Sequence, residues 1–288
     1  MLHLPFIAPY DWALALRMIG AHAVPGGEVT DSPGGTHRRL LLGQERPLLV
    51  ELSAVESAVV VRIEAPGPPV SATESAEVET RVRHWLDLDA DPAPLHRRFD
   101  VDPRLAPLIA ARPGLRRIRY PESFEAVIST VLGQQVSLAA ARTFAGRLVA
   151  SYGDVGPGGL TTFPGPERLL AAEVEELRAA VGITGSRART VHGVAALFAT
   201  TGRWPLPLSA SEWDARAATL LAVPGIGPWT VAYLRMRLFG DPDAVPVGDL
   251  VLRRALGVTT DREVSVVAER WRPERSYAVF QLWASTTW

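Results

Sequence analysis

The sequence predicts an α+β domain with an antiparallel sheet, followed by helical domains to the C-terminus. Three observations carry this. Short β-rich runs separated by turn residues cluster before residue 65. Beyond about residue 95 the apolar residues recur almost throughout at helical spacing. At 288 residues and 47% hydrophobic, the chain has material for two or three cores.

Taken in order, YDWALALRMIGAH at 10–22 reads as a helix, and after a Gly/Pro break come strand candidates at 38–42, 48–52 and 59–63. A helix is expected over about 71–88, with Val78, Val82, Trp85 and Leu86 on one face. The helical part starts with 124–132, a GQQ turn, and a helix over 138–152 capped by Ser137. A Gly/Pro-rich loop at 153–166 precedes amphipathic candidates at 167–181 and 187–199. The expected domains are 1–95 (α+β), 96–205 (central helical) and 206–288 (carrying a helical hairpin).

Composition removes several chemistries. The chain has no cysteine, which excludes a thiol nucleophile, disulfides, and cysteine-held zinc or iron–sulfur groups. Its six histidines are scattered without metal-ligand spacing. All 30 basic residues are arginine, so no lysine is available for a Schiff base. No apolar run reaches the roughly 20 residues of a membrane span, and the N-terminus lacks a secretory pattern, so an intracellular location is expected. The net charge of −1 is uninformative. Its distribution is less so: residues 1–100 hold 9 Arg against 14 acids, and residues 101–208 hold 12 against 8. A surface for nucleic acid belongs to the middle and C-terminal parts.

The most informative segment is LLAVPGIGPWTVAYLRMRLFGDPDAVPVGD at 220–249. Ser209 with Glu212 has capping-box spacing and opens a helix running to Val223. Pro224-Gly225 stops it, and Pro228 after Gly227 suits the first position of a second helix, to about Phe239. Free N–H groups and glycines at such a turn can hold a phosphate, and its carbonyls can take a monovalent cation. A plain helix–helix connection explains the same tetrapeptide. Trp229 and Tyr233 form an i, i+4 pair that serves either a core or a ring-binding wall. Asp249 stands twenty-two residues after Gly227 and just ahead of LVLRRAL, as a helix N-cap. A capped carboxylate is held ionised and fixed in direction.

Together these residues resemble the helix-hairpin-helix DNA glycosylase superfamily, and within it the 3-methyladenine DNA glycosylase II family. The likeness extends to PYDWALAL at 9–16, ARPGLR at 111–116, SFEAVISTVLGQQVS at 123–137, PGIGPWTVAYLRMR at 224–237 and ERWRPERSYAVFQLW at 269–283. The resemblance implies an N-terminal domain related to TATA-binding-protein halves, then two helical domains with the active site in the cleft between them. It implies a monomeric enzyme acting on duplex DNA with damaged bases, flipping the damaged nucleotide into a pocket.

Carried over by position, Asp249 matches the essential aspartate, and Trp229, Tyr233 and Trp283 match aromatic positions of the base pocket. Met18 and Leu250 stand at pocket positions where a relative has aromatics. Gln135 matches the residue that fills the stack, where the family often has an apolar wedge. Gly225 and Gly227 match the DNA-holding turn. Arg187, Arg253 and Arg254 are phosphate-contact candidates that equally suit a solvated surface.

Alkylation at N3 or N7 makes a purine a good leaving group, so one carboxylate and aromatic walls suffice and no cofactor is needed. In the lyase members of the superfamily a lysine lies two residues past the hairpin's second glycine; here that residue is Trp229. The resemblance therefore implies hydrolysis of alkylated bases without strand cleavage. The alternatives are an enzyme of this fold for oxidised or deaminated bases, and a non-catalytic DNA-binding protein.

Overall fold

The computed structural model describes residues 1–287. Its sheet has five antiparallel strands, β1 (Leu2–Pro5), β2 (Glu28–Asp31), β3 (Thr36–Leu42), β4 (Pro47–Val55) and β5 (Ala58–Glu64), ordered β1-β5-β4-β3-β2. The three central strands are those the sequence predicts. The edges β1 and β2 are four residues each, LHLP and EVTD, too short and too polar for their alternation to stand out. They are placed by pairing, with Leu2 opposite Val61 and Glu28 opposite Arg39.

Two helices complete this layer. Asp11 caps α1 (Trp12–His22), its Oδ1 accepting from the Leu14 N–H at 2.8 Å. A full capping box of Ser71 and Glu74 starts α2 (Ala72–Leu86). Leu14 and Met18 of α1 and Val78, Val82 and Trp85 of α2 bury against Leu41, Val50, Leu52, Val59 and Val61 of the sheet.

The remainder is helical: α3 (Ala93–Phe99), α4 (Leu105–Ala111), α5 (Ser123–Gly133), α6 (Leu138–Tyr152), α7 (Pro166–Leu170), α8 (Val174–Val181), α9 (Gly185–Thr201), α10 (Ala210–Leu221), α11 (Pro228–Leu234), α12 (Leu250–Leu256), α13 (Asp261–Glu269) and α14 (Arg275–Thr287). The single helix expected over 167–181 is two, because the chain breaks at 171–173 before α8 begins. After α11 the chain continues as a wider π turn, Arg235–Phe239, ended by Gly240 at φ +86°.

Packing groups these elements differently from three consecutive stretches. One core joins the sheet, α1 and α2 to α3, α4 and the C-terminal helices α12–α14, for example Phe99, Leu105, Leu252, Trp271 and Phe280. The second is built from α5 to α11, with Phe124, Leu148, Phe198, Trp213 and Leu234 fully or almost fully buried. The hairpin's first helix therefore belongs to the second core and Asp249 to the first. The cleft between the cores lies where the chain crosses from one to the other.

Candidate active site

A cavity of about 220 Å³ opens in that cleft. α5 and α6 line one side with Ser129, Thr130, Leu138 and Ala141, α11 contributes Trp229 and Tyr233, and the opposite core contributes His22, Asp249, Val251 and Trp283. The three expected aromatics are brought together. Trp229 and Tyr233 stack with ring centroids 5.3 Å apart and planes 23° apart, as an i, i+4 pair on one helical turn allows. Tyr233 meets Trp283 at 5.9 Å and 44°.

Asp249 is the N-cap of α12. Its Oδ1 accepts from the Leu252 N–H at 2.7 Å and from the Trp283 indole Nε1–H at 3.0 Å. The cap and the indole therefore fix the carboxylate, and Trp283 acts as a positioning donor as well as a wall, a role the sequence does not announce. Burial pushes the Asp249 carboxyl above its ordinary value, outweighing the Leu252, Trp283 and Val251 hydrogen bonds and the nearby Arg253 that pull it down. The cap fixes the carboxylate's direction as expected, while desolvation, which opposes ionisation, sets the sign of the shift.

Two expected pocket residues stand elsewhere. Met18 is 1% exposed within the sheet-side core, on the α1 stripe formed with Leu14, Ala15 and Ile19. One turn further along, His22 is the α1 residue that reaches the cavity. Leu250, the first residue of α12, is 62% exposed, and its neighbour Val251 lines the cavity instead. A shift of one or four residues along a helix is below what position-matching resolves.

The hairpin turn is closely braced. Gly225 has φ +93°, and a Cβ there would sit 2.0 Å from the Thr190 Oγ1. That hydroxyl donates to the Pro224 carbonyl at 2.9 Å. Gln134 Nε2 donates to the Gly225 carbonyl at 3.0 Å and to the Thr230 Oγ1 at 2.9 Å. The Gly227 carbonyl accepts from the Val231 N–H at 3.2 Å. Three of the four PGIG carbonyls are thus acceptors already, so a monovalent cation at this turn would have to share those oxygens.

Gln135 is exposed on the turn between α5 and α6 at φ +55°, an uncommon conformation for a side-chain-bearing residue. Gly133 and Val136 on either side line the cavity, so Gln135 stands at its rim. Arg187 is half-buried, donating to the Gln134 carbonyl and lying over the Phe144 ring at 5.9 Å, which makes it a brace of this turn. Arg253 is paired with Asp261, whereas Arg254 is exposed.

Residues 1–121 match the family model described as AlkA N-terminal domain, and residues 128–260 match HhH-GPD superfamily base excision DNA repair protein. The chain is 39% identical over 294 residues to the probable bifunctional transcriptional activator/DNA repair enzyme AlkA of Mycobacterium tuberculosis, covering 99% of this chain but 56% of that one, so it spans about half that relative's length. It is 31% identical to DNA-3-methyladenine glycosylase 2 of Escherichia coli, with 97% of this chain and 95% of that one covered. Among solved structures, the 3-methyladenine DNA glycosylase from Archaeoglobus fulgidus superimposes with a TM-score of 0.82 at 23% identity, over 99% of this chain and 98% of that one, which establishes the common fold. With both domains matched in order and near-complete mutual coverage of the Escherichia coli protein, this chain belongs to the DNA-3-methyladenine glycosylase 2 family.

Proposed function

We propose that this protein is a monofunctional DNA glycosylase that extrudes an alkylated purine from duplex DNA and hydrolyses its N-glycosyl bond. The observation that carries the reading is Asp249, held by the Leu252 N–H and the Trp283 indole at a cavity walled by Trp229 and Tyr233. Stacking on such rings is worth about 1–3 kcal/mol per base and favours an electron-poor ring.

In the reaction the C1′–N bond breaks and its electron pair leaves with the base. The sugar acquires oxocarbenium character, which the Asp249 carboxylate stabilises. Water adds to C1′ and its proton passes to the carboxylate or to solvent. The products are a free base and an abasic site. A base already carrying positive charge leaves without a general acid, and one carboxylate suits that requirement.

Gly225 and Gly227 would meet the phosphate backbone, with Gln135 at the rim placed to fill the vacated stack. With Trp229 where the lyase members have a lysine, and no lysine in the chain, the abasic product should not be cleaved through a side-chain Schiff base.

The test is incubation with methylated duplex DNA and chromatographic identification of released bases, repeated with Asp249→Asn. Asparagine keeps the N-cap and an acceptor for Trp283 but removes the charge. Release should fall by about 10²–10³-fold with DNA binding retained. Undiminished release would remove Asp249 from the chemistry. A borohydride-trapped adduct through a side chain would refute the monofunctional assignment.

A further inference from the structure

Among the described residues, two that carry a Cβ adopt left-handed backbone, Asp87 and Gln135, each at φ +55°. A Cβ makes that conformation costly, so glycine is the default there. Asp87 is held in it through its side chain, which accepts from Arg119 at 2.6 Å and from Arg117 at 3.3 Å. Gln135 is exposed, and its amide makes no hydrogen bond to the described residues. Nothing inside the molecule accounts for a glutamine at this position.

The backbone that carries it is nevertheless held on both sides. Before it, the Gln134 N–H donates to the Val131 carbonyl at 3.3 Å, and the Gln134 side chain is engaged by the Gly225 carbonyl and the Thr230 hydroxyl. Arg187 donates to the Gln134 carbonyl. After it, the Ser137 Oγ accepts from the Ala140 N–H at 3.2 Å and starts α6. Of the two adjacent glutamines, the first ties the turn to the hairpin and the second projects from it. A strained conformation over-determined by its surroundings points to a position kept for function.

We propose that Gln135 forms a second recognition point, on the undamaged strand: its amide hydrogen-bonds the Watson–Crick edge of the base opposite the lesion, cytosine and thymine alike. This rests on the glycosylase reading, with Gln135 entering the stack from the cavity rim. The gap left by an extruded purine is bounded above and below by the faces of neighbouring bases. Its far side is the Watson–Crick edge of the partner, which extrusion has stripped of its hydrogen bonds. A side chain that fills the gap meets that edge. Opposite an alkylated guanine the partner is cytosine, with an N4–H donor beside the N3 acceptor. Opposite an alkylated adenine it is thymine, with an N3–H donor beside the O4 acceptor. An amide offers one acceptor and one donor side by side, and a half-turn about its Cγ–Cδ bond exchanges them. One glutamine therefore satisfies either pyrimidine, whereas an apolar side chain leaves both edges unpaired.

The test uses duplexes with a single 7-methylguanine opposite cytosine, thymine or difluorotoluene, a nonpolar isostere of thymine. Base release is timed for the wild type and for Gln135→Met, which keeps an unbranched side chain of similar length without the amide. The wild-type-to-variant rate ratio should be about tenfold higher opposite cytosine and opposite thymine than opposite the isostere. Each protein is its own reference across the three partners, so a general loss of folded enzyme cancels. A ratio independent of the partner overturns the proposal, because a residue acting by shape alone is indifferent to that edge. A ratio raised opposite only one of the pyrimidines overturns it too. Independently of turnover, the same pattern should appear in the affinities of the two proteins for duplexes with a tetrahydrofuran abasic analogue opposite each partner. Affinity ratios indifferent to the partner count against the proposal in the same way. If the wild-type protein releases no base at all, the glycosylase reading fails, while these affinities still decide what Gln135 meets.

Discussion

The two cores meet at two junctions, and they treat polar groups in opposite ways. Where the sheet meets α5, charges are paired across the boundary. Arg39 reaches Glu28 at 3.2 Å and Glu125 at 2.5 Å, while Glu122 accepts from the Leu42 N–H at 3.1 Å and from Arg81 at 2.9 Å. At the cavity pairing is withheld: among the described residues the buried Arg237 Nε has no acceptor, and the partly buried Asp249 has neutral donors and no direct ion pair. The first junction fixes how the cores sit. On the proposed function, the second leaves polar groups for a substrate to meet. Unpaired charge inside a protein is tolerated where the missing partner is a ligand.

The largest effect is expected at Arg39. Arg39→Met would strand two buried carboxyls and should destabilise the protein by about 3–5 kcal/mol, read as a lowered melting temperature. Base release at a temperature where the variant is still folded should change little. A variant as stable as the parent would show that the junction is not held by this charge. Two carboxyls sharing one guanidinium also give the junction a pH dependence, because burial pushes Glu28 up to about 7. Its folded value exceeds its unfolded one, so its contribution to stability is full below the unfolded value and lost as pH rises through about 7. Buried His37, His84 and His22, held below their ordinary value, push the whole protein's stability the other way below about pH 6.5, so the contribution of Glu28 is read as a difference. The melting temperature of the wild type relative to Glu28→Gln should decline between pH 5 and pH 8, and a rise in that difference would contradict the assignment.

Next in size is Gly225→Ala. A left-handed φ and a Cβ placed 2.0 Å from the Thr190 Oγ1 force the turn or α9 to move, at a cost of about 1–3 kcal/mol. Both denaturant stability and DNA affinity should fall together. Loss of one alone would mean that the brace and the turn are not a single unit.

Smaller again is Trp283→Phe, which keeps a ring in the wall and deletes the donor to Asp249. The expected loss in base release is about tenfold, the worth of one hydrogen bond to a charged group. The pH profile separates this from a packing effect. In the proposed mechanism the ionised form of Asp249 is the active one, and its pKa is already raised, so activity should fall with decreasing pH at a higher pH than for an exposed aspartate. Removing the indole takes away a lowering contribution, so in Trp283→Phe that acid limb should move to still higher pH. An unmoved limb with a lower plateau would assign Trp283 to packing alone. The two junctions thus respond oppositely to acid, one gaining stability and the other losing activity.

Much of this was legible in the sequence, for identifiable reasons. Side-chain caps are local, so Ser71 with Glu74, Ser137, Ser209 with Glu212, and Asp249 announce their helices within four residues. The Trp229–Tyr233 stack follows from helical spacing. What stayed hidden depends on tertiary geometry. The edge strands β1 and β2 are defined by their partners. Arg237, in RMR near a helix end, carries no sequence signal that sets it apart from the other arginines, and the π turn that buries it leaves no mark in composition. Met18 and Leu250 show the same limit, since identifying a helix does not reveal which of its turns meets the cavity.

The smallest stability effect is expected two residues from one of the larger ones. Gly227 has φ −113° and open space where a Cβ would be, so Gly227→Ala should alter stability by no more than about 0.5 kcal/mol. Nothing within the protein requires glycine there, in contrast to Gly225. If the turn meets a phosphate, the requirement lies in the DNA, and the variant should bind undamaged duplex more weakly while melting like the parent. Affinity and melting temperature of Gly225→Ala and Gly227→Ala, measured side by side, therefore separate the glycine that folds the hairpin from the one that admits the backbone. Unchanged affinity in Gly227→Ala would move the phosphate contact away from this turn.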